Sequence, residues 1–323
     1  MSRPPTFVPP PCATAHTLRT ARGDFAVLAA APARGVRRRG TVLLIPGFTG
    51  SKEDFIALLE PLAAAGYRAV SVDGRGQYET AGPDDESAYA QTELARDVLA
   101  QAAALEKDAA GAQGAAGEPS PLRPHLLGHS LGGQIARAAV LLDPGAFATL
   151  TLMSSGPAAV APTQQSRVAM LADALAALSM DEVWQAMQAM EPPPPQDAQD
   201  AQATPDAQDA RSTRDAPAVR TGAAESDDEA LRARWLLHAP AQLIATGRQL
   251  RTEPDRVAEL AALPLPKHVV SGERDDTWPV PLLDDMADRL HARRTVIHGA
   301  EHSPNTDRPA ETAAALIDFW NRH

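Results

Sequence analysis

The sequence predicts an α/β fold, with a mostly parallel central sheet flanked by helices and a helical cap inserted into it. Three observations carry this. Strand and helix signals alternate from Thr41 to Met153 and again from Lys267 to Trp320. Parallel strands need a crossover between them, and such alternation supplies one helix for each crossover. Between Gly156 and Leu263 the strand signal vanishes and only helical spacing remains. A Gly-rich turn, Gly128 to Gly132, joins an apolar strand directly to a helix.

The elements follow in order. His16 to Thr20 and Phe25 to Ala29 read as leading antiparallel strands. Thr41 to Ile45 is a short apolar run ending at Pro46-Gly47, as a buried strand does. Glu53 to Ala65 carries Phe55, Leu58, Leu59 and Leu62 on one helical face, with Ser51 as its expected N-cap. Gly66 ends that helix and Tyr67 to Val72 is the next strand. Thr92 to Leu105 is helical, Gly111 to Pro121 a loop, Pro124 to Leu127 a strand and Leu131 to Leu142 a helix. Ala148 to Met153, Lys267 to Val270 and Arg294 to His298 are strands, with helices at Val280 to Leu290 and Pro309 to Trp320.

The interrupting stretch reads as helices. Val168, Leu171, Leu175 and Leu178 fall at helical spacing. Ser179 and Glu182 form a capping box before Val183, Trp184, Met187 and Met190. Ser226 and Glu229 repeat that pattern before Leu231 and Trp235, and Thr252 is placed to cap a short helix with Val257 and Leu260. Residues 191–230 begin with Pro192 to Pro195, continue as Asp-Ala-Gln near-repeats and hold one large aliphatic, Val219. Such a segment buries too little apolar surface to offset its ordering entropy, so disorder is expected there. The division expected is a core in two parts, residues 15–156 and 263–323, around a cap at 157–262.

Composition narrows the function. The chain has 323 residues and a net charge of −11, so it is a poor general binder of nucleic acid, whose phosphates need clustered Lys and Arg. Segment 191–230 holds ten acidic and three basic residues, so most of the net charge belongs to it and says little about the substrate's charge. A single cysteine, Cys12, excludes an internal disulfide framework and a Cys-rich metal site. No run of ~18 apolar residues exists, so no membrane partner is expected. The Pro-rich start, Met1 to His16, does not read as a signal peptide, and a cytoplasmic protein is expected. No metal or cofactor is expected either; the expected partner is a small-molecule substrate, and the oligomeric state is not legible.

The chemistry begins at Gly128-His129-Ser130-Leu131-Gly132, a G-x-S-x-G turn between strand and helix. A turn this sharp strains the serine backbone and projects its hydroxyl from the C-terminal end of the sheet, where α/β sheets bind ligands. A serine hydroxyl needs a base, and the base an orienting carboxylate. Asp275 and Asp276 follow one predicted strand; His298 ends the last, where it is expected to pack, and His302 lies in the loop after it. The backbone N–H of Leu131, just after the serine, is one expected oxyanion donor. His129 reads as a packing residue, and the remaining histidines, His238 and His268 among them, have no surroundings that suggest a role.

Five motifs together resemble the α/β-hydrolase superfamily in its cap-bearing branch. They are Pro46-Gly47-Phe48, Asp73-Gly74-Arg75-Gly76, Gly128-His129-Ser130-Leu131-Gly132, Gly272-Glu273-Arg274-Asp275 with Pro279, and Glu301-His302. The resemblance spans roughly Ala26 to Trp320. It implies the α/β-hydrolase fold, with Ser130 as nucleophile, Asp275 as acid and His302 as base. Asp275 is preferred to Asp276 because Gly272, Asp275 and Pro279 match the family's G-x-x-D-x-x-x-P spacing, which leaves Asp276 to cap the next helix. The second oxyanion donor implied is the N–H of Phe48; Pro46 stands where the family often has histidine, which removes no donor because the donating amide lies two residues later. Arg75 is implied as structural. Met170, Met180, Met187, Met190, Trp184 and Trp235 are the cap residues able to face an apolar substrate, with Phe48, Trp184 and Met187 the named candidates. The activity implied is carboxylic-ester hydrolysis through an acyl-enzyme. Carbon–carbon hydrolysis of a β-ketone and acyl transfer to an alcohol or thiol use the same residues, and a non-catalytic binder on this fold is the remaining reading.

Overall fold

A computed structural model describes residues 3–113, 123–190 and 221–323. Eight strands form one sheet: β1 (Ala13–Thr20), β2 (Gly23–Ala30), β3 (Gly40–Ile45), β4 (Tyr67–Val72), β5 (His125–His129), β6 (Thr149–Met153), β7 (Lys267–Gly272) and β8 (Arg293–Ile297). Their order is β1-β2-β4-β3-β5-β6-β7-β8. The pairs β1–β2 and β2–β4 are antiparallel and the rest are parallel. The central strands β3, β5, β6 and β7 are buried along their whole length, as a sheet covered on both faces requires. The outer strands β1 and β8 are largely exposed or half-buried, which is why their sequences carry His16, Arg19, Arg293 and Arg294.

Around the sheet lie α1 (Ile56–Ala64), α2 (Gln91–Gln113), α3 (Leu131–Leu142), α9 (Val280–Leu290), α10 (Pro304–Asp307) and α11 (Pro309–Trp320). Strand alternation sorts side chains to two cores. Leu43 and Ile45 of β3 join Val98 of α2, Ile135 of α3 and Met286 of α9 on one face. Val42 and Leu44 join Leu58 and Leu59 of α1 and Leu316 and Trp320 of α11 on the other. The cap lies between β6 and β7: α4 (Pro162–Ala177), α5 (Met180–Met190), α6 (Thr221–Leu237), α7 (Pro240–Thr252) and α8 (Val257–Ala261). Its own cluster is Leu175, Val183, Trp184, Leu231, Trp235 and Leu243. No helix of the described residues is long and apolar enough to cross a membrane.

Several local expectations are corrected. Ser51 caps no helix; a 3₁₀ turn, Lys52–Phe55, precedes α1, and the Ser51 hydroxyl donates to Glu53 at 2.6 Å. The Ser179–Glu182 capping box forms, with Ser179 N–H donating to Glu182 at 2.8 Å. The second box does not, because α6 begins at Thr221 and Ser226 lies inside it. Residues 221–230 are therefore helical rather than disordered, while the expectation for 191–220 lies outside the described residues. Thr252 closes α7, its hydroxyl donating to Arg248 O, and Asp255 accepts from the Val257 N–H instead. The helix α2 extends through Gly111 to Gln113; the rest of the expected Gly111 to Pro121 loop lies outside the described residues. Leu178 leaves the helical pattern as an exposed, extended residue, and α7 had no counterpart in the sequence reading.

Candidate active site

The sheet order reverses at β3: the chain runs to β4 on one side and later to β5 on the other. The carboxyl ends of β3 and β5 meet at this reversal, the usual place for a ligand in such sheets. Ser130 stands there, between β5 and α3. Its backbone is at φ 54°, ψ −121°, a disfavoured region for a residue with a side chain. Its N–H donates to Met153 O at 2.9 Å, which fixes the turn to β6. The flanking glycines are required by contact. A Cβ at Gly128 would sit 2.2 Å from Gly132 O, and one at Gly132 would sit 2.3 Å from Ile45 O.

His302 follows β8 and brings its Nε2 to 3.0 Å from Ser130 Oγ. Its Nδ1 lies 2.9 and 3.0 Å from the two carboxylate oxygens of Asp275. The Asp275 side chain is fully buried, whereas that of His302 is 27 % exposed. Asp275 Oδ1 also accepts the N–H groups of Thr277 (2.8 Å) and Trp278 (3.1 Å), which hold it in place. Asp276 is exposed, accepts from Gln164 of α4 at 2.7 Å, and caps no helix, since Pro279 occupies the N-cap of α9. His298 does not pack as expected: β8 ends at Ile297, and the His298 ring is exposed beside Glu273. His129 is buried; burial and the neighbouring His302 push it down to about 4, so it is neutral near pH 7. Its Nε2 lies 2.9 Å from the His302 carbonyl, a contact that steadies the loop of the candidate base.

The loop after β3 passes against the serine: a Cβ at Gly47 would lie 3.1 Å from Ser130 Cβ. Gln77 donates to Gly47 O at 3.0 Å and Gly50 N–H donates to the same carbonyl at 3.1 Å. Leu131 is the first residue of α3, so its N–H has no helical carbonyl to reach. Behind this loop, Lys52 is buried against Asp73 (2.9 Å), Glu53 (2.9 Å) and Glu79 (2.5 Å). Burial alone would lower its ammonium, but those three carboxylates outweigh it and raise it above its ordinary value. Arg75 is bidentate to Asp97, at 2.7 and 2.6 Å, within the loop framework.

The cap candidates are distributed unevenly. Trp184 is buried within the cap cluster, and Met187 is half-buried against it. Phe48 packs against that cluster and against the core together, so it connects the loop after β3 to the cap. Met170 and Met190 are exposed, and Trp235 is fully buried with its Nε1 donating to Met180 O. Residues that the sequence reading passed over also converge here. Arg234 and His238 descend from the cap, Asp54 meets them, and Trp278 lies 6.2 Å from the His302 ring. The signal for Arg234 and His238 was their register: with Leu231 and Trp235 they share the i, i+3, i+4, i+7 stripe that a helix buries.

Residues 42–315 match the model of a family described as the alpha/beta hydrolase family. No curated protein matches the chain. Among solved structures, a hydrolase from Pseudomonas aeruginosa PA01 is 22 % identical with a TM-score of 0.63, over 95 % of this chain and 98 % of that one. A thermophilic esterase from Thermogutta terrifontis is 18 % identical with a TM-score of 0.60, over 96 % and 99 % of the two chains. An enol-lactonase from Burkholderia xenovorans LB400 is 14 % identical with a TM-score of 0.64, over 95 % and 100 %. At these identities the likeness is one of fold.

Proposed function

The chain belongs to the alpha/beta hydrolase family, and on that premise we propose that it is a serine hydrolase cleaving carboxylic esters of small or medium apolar molecules. The observation that carries this reading is the unbroken relay from Ser130 Oγ to His302 Nε2 (3.0 Å) and from His302 Nδ1 to Asp275 (2.9 Å). His302 takes the Ser130 proton as Oγ attacks the ester carbonyl carbon. Asp275 holds the imidazole in the required tautomer and stabilises the imidazolium that forms. The tetrahedral oxyanion accepts from the N–H groups of Phe48 and Leu131, each donor being worth about 10²–10³ in rate. Collapse expels the alcohol, which takes its proton from His302. Water then gives a proton to His302 and attacks the acyl-enzyme; the acid leaves and Ser130 regains its hydrogen.

The apolar preference rests on Phe48, which packs against the cap cluster, as Leu171, Met180 and Met187 also do. The test is labelling of the intact protein with a fluorophosphonate probe, located by mass spectrometry, alongside turnover of p-nitrophenyl acyl esters. Label is expected on Ser130. Ser130→Ala is expected to abolish labelling and reduce hydrolysis by at least about 10³-fold with an unchanged melting temperature. A wild-type protein that neither labels nor turns over, or a Ser130→Ala variant that keeps its rate, overturns the reading.

A further inference from the structure

We propose that Arg234 and His238 of the cap are positioning residues for the loop that carries the Phe48 amide, so that the oxyanion site is complete only when the cap is docked. This rests on the serine-hydrolase reading above. The loop from Pro46 to Asp54 is not at rest: Thr49, a β-branched residue, is held at φ 58°. Such a conformation persists only where surrounding contacts over-determine it.

The core supplies half of those contacts. Gln77 donates to Gly47 O, the Lys52 N–H donates to Asp73 at 2.7 Å, and Asn305 Nδ2 donates to Asp54 O at 2.7 Å. The cap supplies the other half. Arg234 Nη1 donates to Asp54 Oδ1 at 2.8 Å and to Ser51 Oγ at 3.2 Å, while Ser51 passes its own hydrogen to Glu53. The side chains of Arg234 and Asp54 are both fully buried. His238, just past the end of α6, sets Nε2 at 3.2 Å from Gly50 O and Nδ1 at 2.8 Å from Arg234 O. The Phe48 ring meets α7 as well, within ordinary contact of a Cβ placed at Gly247.

The chemistry favours positioning over stabilisation. A buried ion pair gains little over an apolar pair of the same volume, but it satisfies its partners in only one geometry. An oxyanion donor has a tolerance of the same scale, since it must sit about 2.7–3.1 Å from the developing charge. Arg234 and His238 reach the loop at Gly50, Ser51 and Asp54, and both stand at the C-terminal end of α6, His238 one residue past it. Moving α6 away therefore releases the strained loop in one step.

The test uses the full chain, p-nitrophenyl butyrate as substrate and n-butylboronic acid as a tetrahedral analogue. The variants are His238→Leu and the double change Asp54→Leu with Arg234→Met, which removes both members of the buried ion pair. Each is expected to lower kcat by at least about tenfold with KM within about threefold, and to weaken the boronate by a matching factor. Amide exchange in a peptide covering Gly47 to Ser51 is expected to quicken. A kcat within about threefold of wild type, or a loss confined to KM, overturns the proposal. If the double variant does not fold, His238→Leu decides by the same thresholds. If the wild-type protein neither labels nor turns over, the serine-hydrolase reading falls instead. Loop exchange in His238→Leu then decides: unchanged exchange overturns the clamp, and faster exchange at Gly47 to Ser51 sustains it.

Discussion

At Ser130 the backbone is strained and both flanking glycines are pressed against other backbone, so this turn tolerates no added atom. Gly132→Ala would drive a Cβ to 2.3 Å from Ile45 O and 2.4 Å from Pro46 O, forcing away β3 and the loop that follows it. The expected outcome is a melting temperature lower by about 5 °C or more together with reduced ester turnover. Gly145→Ala is the control, because its Cβ would meet only the Asp143 carboxylate at 3.2 Å in an exposed turn. Equal melting temperatures for the two variants would contradict this account. The Ser130 turn is legible in the sequence from its flanking glycines, whereas Asp275 and His302 stand out from Asp276 and His298 there only through the family resemblance. For Arg234 and His238 the sequence offers only their register on a buried stripe; what they meet is not legible, because a polar residue on a helix reads as solvated until the surface it faces is known.

Besides its contacts with the loop after β3, the cap is held to the core by buried polar groups near its two connections. The outgoing segment bonds to the C-terminal end of α7, Ala159 N–H donating to Glu253 O and Val160 N–H to Leu250 O. Arg137 of α3 donates to Pro157 O (2.7 Å) and to Glu253 (2.6 Å), and Gln91 completes Glu253 at 2.7 Å. Breaking one member of such a buried pair strands the other charge. Arg137→Met is therefore expected to cost about 3–5 kcal/mol, and the double change Arg137→Met with Glu253→Met much less. Denaturant unfolding measures both; a double variant no more stable than the single one would show that the pair is not the unit. This scale is also where sequence reading failed most. Ser51, Ser226 and Thr252 each matched a cap pattern, but tertiary partners or a longer helix claimed them. Short polar side chains bond to whichever backbone or partner lies near, so their pattern is weakly specific.

Across the whole molecule, four buried histidines set a common pH response. Burial is the main cause in each, pushing His125, His129 and His238 down to about 4 and His268 to about 3. The unfolded chain binds protons at these rings near pH 6.5, while the folded chain resists until near pH 4. Stability from them is therefore complete above about pH 6.5 and is lost as pH falls towards 4. The melting temperature is expected to drop by about 5 °C or more between pH 7.5 and pH 5, followed by circular dichroism. A flat profile would mean that these rings are not buried neutral. The sequence by itself determined the sheet, the order of its strands and helices, and the glycine-flanked serine turn, because apolar periodicity and backbone sterics are local properties. Only the tertiary structure decided which carboxylate faces His302, and which cap side chains reach the loop after β3. Those depend on residues 27 to 188 positions apart meeting in a buried interior, where the cost of an unpaired polar group selects the partner.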